Sequence, residues 1–154
     1  MPRVESSVRI EAPRDAVMAV AQDNEAFPEF MEDVRSLTVV ERSEDNRRVV
    51  SEWVAVVPKL ARTVRWTEED VWDPDAGTCT FRQLKGDYDK LEGVWTFSDD
   101  GPGATRFAST VDYELEIPLV GPLIKTIIKK TVQNNVDATL QAIKRRCEGP
   151  AAAP

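Results

Sequence analysis

None of the 154 residues is histidine, and that absence sets the chemistry open to this chain. It removes serine–histidine–aspartate and cysteine–histidine nucleophilic systems, together with the common histidine-based zinc and iron sites. Acid–base work at neutral pH would fall to shifted carboxylates, tyrosine, lysine or water held by arginine. Tyr113 and Arg65 are the candidate catalytic residues of this kind, and Arg62 and Arg65 could anchor an anionic head group. The plainer reading of both arginines is a solvated strand face. Glu68-Glu69-Asp70 puts carboxylates on both faces of a strand and reads as a wet strand end, not as a catalytic pair. The sequence carries no metal cage, phosphate loop or dinucleotide fingerprint, so neither a metal nor a cofactor is expected. Cys79 and Cys147 lie far apart and are expected to remain reduced thiols.

The elements that must position these groups follow from periodicity. In residues 3–11, Val4, Ser6, Val8 and Ile10 alternate with Arg3, Glu5, Ser7, Arg9 and Glu11, the pattern of a half-buried strand. Pro13 suits a helix start, where its missing N–H costs nothing, and Ala16, Val17, Val20 and Ala21 then share a helical side. A second short helical piece, interrupted by Pro28, spans residues 24–31. Six strand-like segments follow, separated by Glu44-Asp45-Asn46, Pro58, Pro74-Asp75-Ala76-Gly77, Gly86-Asp87 and Gly101-Pro102-Gly103. Turns this tight imply antiparallel neighbours. From Leu123, Ile124, Ile127, Ile128, Val132, Val136, Leu140 and Ile143 recur at helical spacing until Gly149-Pro150.

The expected fold is therefore α+β: a seven-stranded curved antiparallel sheet wrapped around one long C-terminal helix, with two short helices after the first strand. One helix cannot fill a deeply curved sheet, so the architecture predicts an internal cavity. Residues 1–149 are expected to form a single domain, and residues 150–154 a disordered tail.

Charge narrows the partners. The net charge of −7 and the pI near 4.7 disfavour nucleic acid, whose binders draw affinity from neutralising phosphates. The lysines and arginines at 125–130 and 144–146 read as a solvated helix face. No apolar run approaches the ~20 residues that span a bilayer, and residues 1–13 show no signal-peptide core, so the expected compartment is the cytoplasm.

Four segments in order carry a resemblance: VRIEAPRDAV at 8–17, DNEAFPEFMEDV at 23–34, LEGVWTF at 91–97 and PLVGPLI at 118–124. Together they resemble the polyketide cyclase/dehydrase and coenzyme Q-binding branch of the START-like, or SRPBCC, helix-grip superfamily, over nearly the whole chain. The resemblance implies a hydrophobic cavity between the sheet and the C-terminal helix. It implies no catalytic motif that can be matched residue by residue.

Strand alternation nominates the residues that would meet a ligand there. Leu91, Gly93, Trp95 and Phe97 share one face, as do Phe107, Ser109, Val111, Tyr113 and Leu115, with Phe81 and Gln83 aligned similarly. Along the helix, Leu123, Ile127, Thr131 and Asn135 follow one stripe. Phe27, Phe30 and Met31 could gate the cavity or plug the end of the core. The expected ligand-binding set is thus Phe27, Phe30, Met31, Phe81, Gln83, Trp95, Phe97, Tyr113, Leu123, Ile127, Thr131 and Asn135. Buried aromatics are more often plain core, whereas buried Gln83, Tyr113, Thr131 and Asn135 need a partner, either a ligand or neighbouring backbone. Trp53, Trp66 and Trp72 have apolar residues on both strand faces, which leaves their direction open.

Three functions fit, in this order. The first is a non-enzymatic binder or carrier of a hydrophobic small molecule such as a lipid, a quinone or a polyketide-like aromatic. The second is a polyketide aromatase/cyclase using the same cavity. The third is a ribosome- or protein-interaction module.

Overall fold

A computed structural model describes residues 2–29, 31, 33–57, 62–115 and 122–152. The alternating segments form β1 (Arg3–Ile10), β2 (Val34–Arg42), β3 (Arg48–Val57), β4 (Arg62–Asp73), β5 (Thr78–Gly86), β6 (Lys90–Asp99) and β7 (Thr105–Glu114). The helices are α1 (Arg14–Gln22) and α2 (Pro122–Ala152), with a 3-10 turn at Asn24–Glu29 that contains Pro28. The seven strands make one antiparallel sheet in the order β1-β7-β6-β5-β4-β3-β2. Strands β2 to β7 are a meander, and β1 closes onto the last of them, Val8 facing Phe107.

Turn chemistry sets this register. Asn46, with φ 61°, and Gly77, with φ 70°, occupy the left-handed region at the β2–β3 and β4–β5 turns. A Cβ on Gly77 would lie 2.5 Å from the Phe97 carbonyl oxygen, so glycine is required there twice over.

The core sits on the concave face beneath both helices. Phe97 and Phe107 stack at 4.6 Å, joined by Trp72, Val17, Met18, Leu140 and Ile143. Met18 takes the buried place on α1 that was expected of Ala16, which is exposed. The cause is the drift of a 3.6-residue helix: positions 17, 18 and 21 face the sheet together.

Helix α2 is tied to β1 and α1 by polar contacts at both levels. Gln133 Nε2 donates to the Glu5 carbonyl at 3.1 Å, and Lys144 Nζ donates to the Arg9 carbonyl at 2.5 Å. Lys144 also pairs with Glu148, and Arg146 with Asp23 at 3.0 Å. These basic residues are thus anchors as well as a wetted face. The helix does not stop at Gly149-Pro150 but continues to Ala152. Proline's fixed φ fits a helix, and in the last turn it forfeits little of the ladder. No helix among the described residues is long and apolar enough to cross a membrane.

Candidate functional site

A cavity lies between the sheet and α2, with about 110 Å³ open to the centre of a water-sized sphere. At ~10–15 Å³ per water on this measure, the space takes several waters or a compact organic group. Trp53 and Ala55 reach it from β3, Trp66, Glu68 and Asp70 from β4, and Cys79 and Phe81 from β5. Leu91, Trp95, Ser109 and Val111 complete the floor, while Val132, Asn135, Val136, Thr139 and Leu140 form the α2 wall.

The aromatic lining is one connected assembly. Trp53 and Trp66, paired across β3 and β4, stack at 5.4 Å with planes 13° apart. Tyr88 meets Trp66 edge-on at 5.5 Å, and Phe27 closes the end of the chamber at 6.1 Å from Trp53. The three open tryptophan directions thereby resolve inward: Trp53 and Trp66 line the cavity, and Trp72 is buried beside Trp95 and Phe97.

Glu68 and Asp70 overturn the reading of their strand as a wet end, for both are buried with 7 % of their surface exposed. Their parity decides this. Val64, Trp66, Glu68, Asp70 and Trp72 alternate inward, while Arg65, Glu69 and Val71 turn outward. Glu69 alone behaves as a strand-face carboxylate, bonded by Arg48 at 2.7 Å and Arg82 at 3.0 Å, which hold it below its usual range. Burial raises Asp70 well above the usual carboxylate range, and the Glu68 carboxylate beside it adds to the effect. Burial raises Glu68 too, opposed by hydrogen bonds from Asp70 and from Trp66 Nε1, the latter at 3.1 Å. Of the two, Asp70 is the more strongly raised, because it feels both burial and the Glu68 charge. Asp70 Oδ1 and Ser109 Oγ are buried without a hydrogen-bond partner.

The expected ligand-binding residues divide. Phe27, Met31, Phe81, Trp95 and Asn135 meet at the cavity. Phe27 and Met31 are buried, not exposed as a gate would have them, and Phe30 lies outside the described residues. Gln83 instead clamps the β5–β6 turn, donating to the Tyr88 carbonyl at 2.8 Å and accepting from the Tyr88 N–H at 3.2 Å. Phe97 belongs to the core under α1. Leu123 is 71 % exposed, Ile127 is off the lining, and Thr131 Oγ1 donates to the Ile127 carbonyl at 3.0 Å. That stripe lies one residue, about 100° around the helix, from the inner row of Ile128, Val132, Val136 and Leu140, and of its four members Asn135 reaches the cavity.

Of the candidate catalytic residues, Arg65 is exposed on the outer face of β4. Tyr113 is buried, its hydroxyl unpartnered, one ring beyond the lining and 6.5 Å from Tyr88; burial raises its phenol. Cys79 lines the cavity as a free thiol that burial raises, and Cys147 is also free. Glu68, Asp70 and Tyr88 line the cavity and were missed by sequence reasoning, whereas Ser109 was on the strand face nominated for it. The inward parity of Trp66 and Trp72 was the signal for the first two.

The profile of the family described as "Polyketide cyclase / dehydrase and lipid transport" matches residues 10–140. The chain belongs to this family. A Thermus thermophilus protein of the same fold, TTHA0849, is 36 % identical, with 99 % of this chain and all of that one aligned and a TM-score of 0.87. The Zhui aromatase/cyclase of Streptomyces sp. R1128 superposes with a TM-score of 0.86 at 20 % identity, covering 99 % of this chain and 96 % of its own. The ribosome association toxin RatA of Pseudomonas aeruginosa is 25 % identical over 142 residues, 92 % of this chain and 95 % of that protein. For this polyketide cyclase/dehydrase family member, the helix-grip scaffold with its concave face under α2 is thus shared.

Proposed function

We propose that this protein binds a hydrophobic small molecule in the chamber between the sheet and α2. The observation that carries the reading is an aromatic-walled cavity in which buried polar atoms, Asp70 Oδ1 and Ser109 Oγ, stand without partners. An apolar wall with a few convergent polar groups is the general form of a small-molecule site. Unpaired buried polar atoms are costly until something bonds them. Protein purified under native conditions and extracted with organic solvent should yield a stoichiometric apolar compound by mass spectrometry. The same compound should be missing from Val136→Phe, which sets a ring into the cavity from α2. An empty extract would rule out a tight constitutive carrier.

A second reading, cyclisation or dehydration of a poly-β-ketone, is favoured by the adjacent carboxyls of Glu68 and Asp70, both buried at the cavity and raised by that burial. Such a pair offers a base and an acid side by side in a site that positions the chain. It predicts turnover of a poly-β-ketone mimic that survives Arg65→Ala and falls by roughly 10²-fold or more in Asp70→Asn. Equal turnover in both variants would exclude the pair from the chemistry. A ribosome-binding role ranks third, since a net charge of −7 opposes contact with phosphates.

A further inference from the structure

The cavity is electrically one-sided. Two acidic side chains, Glu68 and Asp70, line it, and none of its described lining residues is lysine or arginine. The nearest cations along this strand serve the other face, where Arg48 and Arg82 hold Glu69. A buried carboxylate is normally matched by a basic partner or by a bound cation. Here the charge has aromatic neighbours and a single indole N–H donor, from Trp66. Two acceptors in the chamber are more than nine-tenths buried and unbonded: Asp70 Oδ1, in the pair itself, and Ser109 Oγ, three strands away on β7. Across the sheet the pair adjoins aromatic faces: Asp70 stands opposite Phe81, and Trp66 opposite Trp53.

We propose that the molecule this cavity takes is an apolar organic cation, a protonated amine on an aromatic or similarly apolar body. The inference rests on the reading of the cavity as a ligand site. An ammonium group has three N–H donors and no acceptor, which suits the Glu68 carboxylate and Asp70 Oδ1 together. Its positive charge is the partner that the acidic pair lacks, and indole and phenyl faces attract cations as well as carbon. An anionic ligand, such as a fatty acid, would meet two carboxyl groups and no basic side chain. A neutral alcohol offers one donor and no charge.

Binding in this form needs Glu68 ionised, and burial raises that carboxyl, so affinity for the amine rises from pH 5 to pH 8. The other titratable groups lining the chamber are Cys79 on β5 and Tyr88 on the β5–β6 turn, both raised by burial and neutral across that range; Tyr113, also raised, lies one ring beyond them. Helix α2 presents the uncharged Asn135 and Thr139 to the chamber.

Calorimetric titration of the full chain with four naphthalenes tests this: 1-naphthylmethylamine, 1-naphthylmethanol, 1-acetonaphthone and 1-naphthoate. At pH 8 the amine should bind about tenfold tighter than the alcohol or the ketone, with naphthoate the weakest. In Glu68→Gln/Asp70→Asn the amine and the alcohol should come within about twofold of each other. The single variant Glu68→Gln, which leaves one carboxyl, serves if the double variant does not fold. If the alcohol or the ketone matches the amine, the occupant is uncharged; the amine proposal fails and the ligand-site reading stands. An amine preference that persists without the carboxyls places the amine elsewhere and overturns the proposal too. If no probe binds, both readings fall.

Discussion

Asp70→Asn should make the protein more stable than the parent, by a margin that widens as the pH rises. Burial and the adjacent Glu68 raise the native pKa of Asp70 above its unfolded value, and burial raises Glu68 as well. Carboxyls raised in this way keep their protons in the folded state where the unfolded chain has lost them. Their stabilising contribution is complete below the unfolded values, near pH 4, and is lost as the pH climbs through the native values. Within that window each such group costs about 1.4 kcal/mol per pH unit. Asparagine keeps the shape and removes the charge, and it also frees Glu68 from a like-charged neighbour. Urea unfolding at pH 4.5 and pH 8 should show the two proteins close together at the lower pH and well separated at the higher. A gap that stays constant with pH would mean that Asp70 does not titrate as its burial requires.

The second large effect is expected at the other end of the concave face. Phe107 is fully buried, stacked on Phe97 at 4.6 Å and met edge-on by Trp95 at 5.3 Å. Cutting it to alanine leaves a void between β6 and β7, where relaxation is limited by strands hydrogen-bonded on both sides. Phe107→Ala should cost about 3–5 kcal/mol, a large share of the 5–15 kcal/mol that holds a typical domain. Leu84→Ala, at a side chain 42 % exposed, should stay within about 0.5 kcal/mol of the parent. Chemical denaturation of the two variants in parallel decides it. A loss below about 1 kcal/mol at Phe107 would mean that the stack is not the centre of the core.

Strands such as β7 were legible because apolar and polar residues alternate without interruption through Phe107, Ser109, Val111 and Tyr113. The turns were legible because Asn46 and Gly77 take conformations that few other residues accept. The inner face of β4 was not, and the reason is chemical. Thr67, Glu68, Glu69 and Asp70 are all polar, so local alternation carries no sign, and a buried carboxyl looks like a wet one until its strand is phased. Phasing was available from Trp66 and Trp72, which share parity with both acids and are too large to face water together. Along α2 the row Leu123, Ile127, Thr131 and the neighbouring row Ile128, Val132, Val136 both keep helical spacing, so spacing alone does not choose between rows one residue apart. Gln83 was missed as a turn clamp because its partner is a backbone amide, which no side-chain pattern reveals.

The placement of the indoles has an optical consequence. The chain has four tryptophans; Trp53, Trp66 and Trp95 wall the chamber, and the ring of Trp72 lies 6.2 Å from that of Trp95. Near-ultraviolet emission from the intact protein therefore originates almost wholly in one small space. Its wavelength reports how wet that space is, and its intensity reports whether anything has entered, without a label and without a background of emitters elsewhere on the molecule.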